Sequence, residues 1–293
     1  MKFKKMSDII FDVLVYFIAV VAFVITLYPF LYIFSVSLSD LDAINRGEVR
    51  FLPVGFDFSG YKEVLTDKNI WVAYGNTIFY VAVGTTCNMF MTIFGAYALS
   101  RKTFGMRRFF NFFISFTMYF SGGLIPTYLL ITNLGLYNTR LVMILPVMIS
   151  TYNMMICRSA FSAVPDEMME SASIEGANDI HILTMIYVRL ITPTLVVLIL
   201  YYAVGHWNTF FNAMLYLKDD HLQPLQVLLR RVLIQSSQEL LMDSLTVEQE
   251  KRALVSIQIR YAAIIVSTLP ILMVYPFLQK YFISGIMLGA VKG

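Results

Sequence analysis

A short polar segment, residues 164–179, separates two strongly apolar stretches of the chain and carries five acidic side chains. Pro165 suits the first position of a helix, where its missing N–H costs nothing, and the two acids after it meet the positive end of the helix dipole. Gly176 can end that helix, and Asn178 or Asp179 can cap the next. The segment therefore predicts a short helix, a sharp turn and a new helix, presented to a partner at one face of a membrane.

A second group of residues, Tyr152, Asn153, Trp207 and Asn208, places aromatic rings beside amides within apolar stretches. Sugars offer apolar C–H faces and polar hydroxyls, so this combination suits a sugar-binding path. Two other interpretations stay open at this point. Trp207 fits the aromatic belt of a membrane interface, and Asn153 fits hydrogen bonding between helices.

Motifs of the common catalytic and nucleotide-binding sites are absent from the sequence. It contains no G-x-x-x-x-G-K-[ST], no G-x-S-x-G and no H-E-x-x-H. Its three histidines are scattered, and Cys87 and Cys157 lie in apolar surroundings that suit packing thiols. We therefore expect no catalytic residue, no metal site and no cofactor bound by this chain.

The composition is that of an integral membrane protein. Of 293 residues, 58% are hydrophobic and 14% are charged, and the mean hydropathy is +0.69. Soluble domains carry about 25% charged residues. A net charge of +3 gives no argument for nucleic acid as a partner. The charge-free run at 13–39 is far longer than the apolar core of a signal peptide, about 7–15 residues, so it predicts a first transmembrane helix.

The apolar runs predict six transmembrane helices in a single all-α domain covering residues 1–293. A crossing needs roughly 20 apolar residues. Suitable runs are 13–39, 69–100, 109–139, 141–157, 191–217 and 261–279, with the fifth crossing starting near Ile182.

Basic residues at the helix ends predict the orientation. Three lysines precede the first run, and four basic residues crowd the loop at 101–108, so both segments should be cytoplasmic. The loop at about 160–182 and both termini then lie in the cytoplasm, and the segment at about 218–258 lies outside.

The polar segment also contains a spaced motif: Glu170-Ser171-Ala172, three residues, Gly176, and then Ile186 and Val188. This motif resembles the EAA loop of bacterial ABC-importer permeases, with Ser171 in place of the first Ala and Arg189 in place of the final Pro. The resemblance implies the type I importer permease fold with six transmembrane helices. It also implies that the loop docks on a separate ATPase. The coupling residues are then Glu170, Ser171, Ala172, Gly176 and Asp179.

Other segments resemble the carbohydrate-importing branch of that family. They are residues 121–130 and 205–217, and a tail at 279–293 that is similar to the carboxyl end of the maltose-type permease. The resemblance implies that Gly289, Lys292 and Gly293 reach the ATPase interface. It implies oligosaccharides as cargo, including types that contain uronic acids.

The partners implied by the resemblance are a second, homologous permease subunit in a heterodimer, an ATPase dimer that uses ATP and Mg, and an extracytoplasmic solute-binding protein. The implied location is the bacterial inner membrane, with lipid around the helices.

Two rival functions differ from the importer in what they require of the sequence. A secondary transporter or channel working without an ATPase should carry a carboxylate in mid-membrane, and none occurs in the second to sixth runs. A membrane-embedded enzyme or scaffold should carry clustered acids, His or Cys within the runs, and no such cluster is present.

Overall fold

A computed structural model describes residues 6–241, 255–274 and 276. The described chain is helical, with one isolated antiparallel bridge between Ser39 and Phe56. In chain order the helices are α1 Met6–Ser37, α2 Leu41–Asn45, α3 Ser59–Thr66, α4 Lys68–Ser100, α5 Arg107–Tyr119, α6 Leu124–Asn133, α7 Thr151–Ser162, α8 Asp166–Ile174, α9 Asp179–His181, α10 Val188–Leu190, α11 Thr192–Trp207, α12 Phe211–Tyr216, α13 Leu225–Leu241 and α14 Val255–Val274. Short 3-10 segments lie at Arg140–Met143, Leu145–Val147 and Asp220–Leu222, and a π-helical segment lies at Ile182–Tyr187.

Three helices within the described residues are long and apolar enough to cross a membrane: Ile10–Ser37, Lys68–Ser100 and Val255–Val274. Three further pairs of helical segments pass the same test together, each bent at a break, which gives up to six crossings. The six predicted crossings are thus all represented.

The third crossing is broken within the apolar run 109–139, at the glycine pair Gly122-Gly123. The chain bends by 112° between α5 and α6. Gly123 adopts a φ of +86°, a conformation that a residue with a Cβ avoids. The glycine pair before α6 therefore divides this single apolar run into two helices.

The fifth crossing is broken as well. A bend of 86° separates Asp179–Leu190 from α11, and Pro193 lies in the first turn of α11, where it needs no N–H partner. The helix ends at Trp207, inside the apolar run 191–217. The sixth crossing begins at Val255, ahead of the predicted start at 261.

The packing divides the chain into two compact units, Met1–Ile70 with Leu229–Leu269 and Trp71–Leu228 with Pro270–Gly293. The prediction of a single domain stays a prediction. In the first unit, the side-chain amide of the fully buried Gln258 donates to the carbonyls of Ser39 and Asp57, and its oxygen accepts from the Ser59 hydroxyl at 2.8 Å. This amide links three separate chain segments within that unit.

The second unit contains a large buried cluster, which joins α4, α7, the π-helical segment and α11. A polar contact lies among these apolar groups. The Asn88 amide nitrogen donates to the carbonyls of Val147 and Met148, and its oxygen lies 2.7 Å from Nε2 of His206. Asn88 therefore satisfies backbone carbonyls at the break before α7 and ties that break to α11. Asn88 therefore contributes to helix packing.

Candidate functional site

The polar segment folds as two short helices joined by a sharp turn, here called the elbow (residues 165–181). Pro165 is the N-cap, with φ −58° and ψ 137°, so α8 begins one residue later than the sequence suggests. Asp166 and Glu167 occupy the first turn of α8, where negative charge is favoured. On the far side of the turn, the Asn178 side chain accepts a hydrogen bond of 2.8 Å from the backbone N–H of His181 and caps α9.

The turn of the elbow is a Schellman motif centred on Gly176. This glycine has a φ of +85°. The Ala177 N–H donates to the Ala172 carbonyl at 3.0 Å, and the Gly176 N–H donates to the Ser173 carbonyl at 3.1 Å. Both bonds satisfy carbonyls that the end of α8 would otherwise leave unpaired. The elbow therefore has one defined bend, held by the backbone.

The predicted coupling residues divide into exposed and buried positions. Glu170, Ser171, Gly176 and Asp179 are exposed, whereas Ala172 is buried. The structure thus brings all five onto one elbow with four of them open to a partner.

Sequence reasoning missed two apolar residues of the elbow. Ile174 is 87% exposed and Ile180 is 64% exposed, on either side of the turn. Exposed apolar side chains beside acids are typical of a docking surface. The signal in the sequence was the isoleucine inside an otherwise polar motif.

The buried side of the elbow belongs to the same core as the membrane helices. Ala172 packs in the cluster that contains Cys157 of α7, Tyr187 of the π-helical segment and Leu198 of α11. Native cores are close-packed and resist local deformation. The elbow is therefore packed against α7, the π-helical segment and α11 as well as being joined to its neighbours by the backbone.

An exposed ion pair joins the elbow to the loop before α5. Lys102 Nζ lies 2.5 Å from Asp166 Oδ2. The hydrogen bond from Lys102 and its charge lower the pKa of Asp166, and the same carboxylate raises the pKa of Lys102. The link is therefore present above the ordinary carboxyl pKa and is lost as the pH falls through the lowered pKa of Asp166.

The four predicted path residues line one cavity of about 1040 Å³, here called the path cavity. Tyr152 and Asn153 come from the first turn of α7, and Trp207 and Asn208 come from the end of α11. The structure therefore brings together residues that lie more than fifty positions apart in the chain.

Two buried polar groups of the path cavity have no hydrogen-bond partner within the described part of the chain. Trp207 is only 9% exposed, and its Nε1 donor meets no acceptor. Asn153 is 7% exposed, and none of the described residues hydrogen-bonds its side-chain amide. Buried polar groups are normally paired. These two are available to a polar ligand, and they line the same cavity as the exposed Tyr152 ring.

Tyr201 is a residue of the path cavity that sequence reasoning missed. It precedes Asn208 by seven residues on a helix, a spacing that puts both on one face. That periodicity was the available signal. Of the other predicted site residues, Gly289, Lys292 and Gly293 lie outside the described residues.

No family model matches the chain, but several curated proteins are similar to it. The chain is 35% identical over 294 residues to the polygalacturonan/rhamnogalacturonan transport system permease protein YtcP of Bacillus subtilis, covering 98% of the chain and all of the relative. It is 37% identical to the protein LplC of the same organism, covering 92% and 90%. The chain belongs to the permease subunits of ABC carbohydrate importers.

A solved structure agrees with this membership. The chain is similar to a bacterial ABC transporter chain involved in the import of the acidic polysaccharide alginate, with a TM-score of 0.87 and 35% identity. The match covers 96% of this chain and all of that chain. The fold is therefore that of an ABC importer permease, a multi-pass protein of the inner membrane. Because the chain belongs to this family, it is an importer permease and not a secondary transporter, channel, enzyme or scaffold. In this family ATP is hydrolysed by a separate subunit.

Proposed function

We propose that this permease imports oligosaccharides that contain uronic acids, with the elbow as its contact for the ATPase and the path cavity as part of the sugar route. The permease carries no hydrolytic machinery of its own in this scheme. ATP and Mg are used by the partner ATPase, which drives the crossing helices through the elbow.

The coupling role is supported by the fact that the elbow has one exposed side and one side buried in the core. Its outer side offers Glu170 and Ile174 to a partner, while its inner side places Ala172 in the core shared with α7 and α11. A docked ATPase that moves would therefore tilt helices and not merely displace a loop. The Schellman turn at Gly176 keeps the two sides in a fixed relation.

The sugar assignment is supported by the path cavity. A sugar offers hydroxyl oxygens and protons that could pair with the free indole N–H of Trp207 and the amide of Asn153, and apolar faces that could lie on Tyr152. The names of the relatives refer to polygalacturonan, rhamnogalacturonan and alginate. These names favour acidic oligosaccharides as the cargo class of this chain.

The assembly in this proposal contains a second, homologous permease as the other half of a heterodimer. An ATPase dimer binds the cytoplasmic side, and an extracytoplasmic solute-binding protein delivers the sugar. The basic residues before the first crossing and in the loop at 101–108 favour a cytoplasmic location for both termini in this proposal. The tail residues Gly289, Lys292 and Gly293 then reach the ATPase interface, and Asp179 and Ser171 contribute to the docking surface of the elbow.

Co-purification tests the coupling role most directly. The permease pair and its ATPase would be expressed together, with an affinity tag on this chain, and the ATPase retained per permease would be measured. Glu170→Lys reverses a charge on the exposed side of the elbow, so we expect at least a tenfold loss of retained ATPase.

The matched control is Glu63→Lys on α3, which reverses the charge of another exposed glutamate outside the elbow. It should retain the ATPase at the level of the unmodified chain. Equal retention in the Glu170→Lys protein would contradict the coupling role, and so would equal loss in both variants.

A further inference from the structure

A second large cavity, of about 1100 Å³, lies beside the elbow and is rich in positive charge; it is here called the basic cavity. Five cations line it: Arg101, Lys102, Arg107, Arg108 and Arg158. The carboxylates on its wall are those of Asp166, Glu167 and Glu170. The cavity thus holds two positive charges in excess. A cavity with this balance favours an anionic ligand.

Two of the five cations of the basic cavity have hydrogen-bond or ion-pair partners among the described residues. Lys102 pairs with Asp166. Arg101 donates to the Tyr187 hydroxyl at 3.2 Å, and its guanidinium lies 5.3 Å from the centre of the Tyr97 ring. These two cations therefore have partners of their own.

The remaining three arginines, Arg107, Arg108 and Arg158, have no carboxylate partner among the residues that the structure describes. Nε of Arg158 is buried and meets no acceptor in that part of the chain. A buried donor of a charged group normally has an acceptor, since leaving it unpaired is costly. The basic cavity therefore lacks an acceptor close to Arg158.

The first turn of α5 also favours the binding of an anion. Arg107 and Arg108 occupy its first turn, and no side chain caps its N-terminus. Cations are unfavourable at this end of a helix, where the dipole is positive and backbone N–H groups are free. An anion bound here would be stabilised by the arginines and by the helix end together.

The helix that supplies Arg107 and Arg108 to the basic cavity also carries exposed rings that suit acyl chains. Directly after Arg108, α5 exposes Phe109, Phe112, Phe113 and Phe116, and Phe112 is 72% exposed. The rings follow the helix in overlapping pairs, such as Phe109 with Phe113 at a centroid distance of 6.2 Å. A charged recess and an exposed apolar stripe on the same helix together match a lipid, which has an anionic headgroup and apolar tails.

We infer that the basic cavity binds the phosphodiester headgroup of an anionic lipid, with the acyl chains lying along the phenylalanines of α5. Arg158 and the first turn of α5 hold the phosphate. Because Asp166 and Glu170 of the elbow form another part of the wall, the bound lipid fixes the position of the elbow against the membrane surface. The inference rests on the proposed orientation, in which the elbow and the basic loop face the inner leaflet.

Native mass spectrometry of the purified complex of both permeases and the ATPase tests this site. The complex would be incorporated into nanodiscs of phosphatidylcholine with added phosphatidylglycerol, and the bound phosphatidylglycerol would be counted after release. Arg158→Gln and Arg108→Gln should each lower the apparent affinity for phosphatidylglycerol by about fivefold, as expected for one cation near an anionic headgroup. Arg50→Gln, which removes an exposed arginine outside the cavity, is the matched control and should leave binding unchanged.

Two further arms of the experiment decide the source of the phosphate. Inorganic phosphate at millimolar concentration should not displace phosphatidylglycerol, because it has no chains to contact α5. Displacement by inorganic phosphate, or equal losses in Arg50→Gln and Arg158→Gln, would overturn the lipid assignment. Loss of the ATPase from the arginine variants with unchanged lipid binding would also overturn it, and would assign the cavity to the ATPase.

The amount of ATPase in each preparation is measured alongside the lipid. A complex that never retains the ATPase contradicts the proposed coupling role, while its lipid count still tests the basic cavity. The two proposals can therefore fail separately.

Discussion

Replacing Gly84 of α4 with alanine should disturb the polar contact that ties α11 to the break before α7. A Cβ on Gly84 would lie 2.5 Å from both Cε1 and Nε2 of His206. His206 is buried, and its Nε2 is held 2.7 Å from the Asn88 oxygen, so the ring cannot move without breaking that contact. The next residue is Trp207, which lines the path cavity.

The energy of the Gly84→Ala change follows from these contacts. Overpacking a close-packed interior costs about 1–3 kcal/mol. Leaving the buried Asn88 oxygen without its partner costs about 1–3 kcal/mol more. Alanine regains about 1 kcal/mol over glycine within a helix. The net destabilisation is therefore about 1–5 kcal/mol.

Two other glycines of the same helix provide matched controls. A Cβ on Gly75 meets nothing within 4 Å, so Gly75→Ala should be neutral or slightly stabilising. A Cβ on Gly95 lies 2.9 Å from the Met154 methyl carbon, which is the end of a flexible side chain and can move aside. The expected order of stability is Gly75→Ala, then Gly95→Ala, then Gly84→Ala.

Thermal unfolding of the purified complex and sugar uptake into proteoliposomes are the two assays. Gly84→Ala should lower the melting temperature and also reduce uptake, since a displaced His206 moves the neighbouring Trp207. If the Gly84→Ala and Gly75→Ala proteins have the same melting temperature, the reasoning about this contact is refuted. A lower melting temperature with full uptake would refute the link to the path cavity.

Two further substitutions test the elbow and the path cavity. Gly176→Ala should destabilise the turn by about 1–2 kcal/mol, the cost of a left-handed backbone for a residue with a Cβ, since the space around this position is open; it should reduce sugar-stimulated ATP hydrolysis by the complex, and Gly75→Ala should not. Trp207→Phe removes an indole N–H that has no partner in the described part of the chain, and it also shortens a ring that is buried beside Ala73 and Leu225. The melting temperature should therefore fall modestly, and KM for the transported sugar should rise about fivefold to tenfold. A lower melting temperature with unchanged KM would show that the side chain serves packing instead.

The elbow could be predicted from the sequence because its interactions are local. Pro165, Gly176 and Asn178 each act on backbone groups within a few residues, and the Schellman and capping bonds follow from their types. The number of crossings could be predicted for a similar reason, because the length of an apolar run measures whether it spans a bilayer.

The bends within the crossings could not be predicted from hydropathy. The break at Gly123 and the break before Pro193 leave the apolar character of their runs unchanged, so a window average passes over them. The glycine pair and the proline were visible in the sequence, but both residue types also occur in unbroken membrane helices.

Local pattern alone determined that this chain crosses a membrane as helices and presents an acidic elbow between two of them. Only the tertiary structure decided which distant side chains meet. It brought Asn153 to Trp207 in the path cavity and Arg158 to Arg108 in the basic cavity. The physical reason is that hydropathy and capping act over a few residues, whereas a cavity is formed by helix packing between segments that lie far apart in the chain.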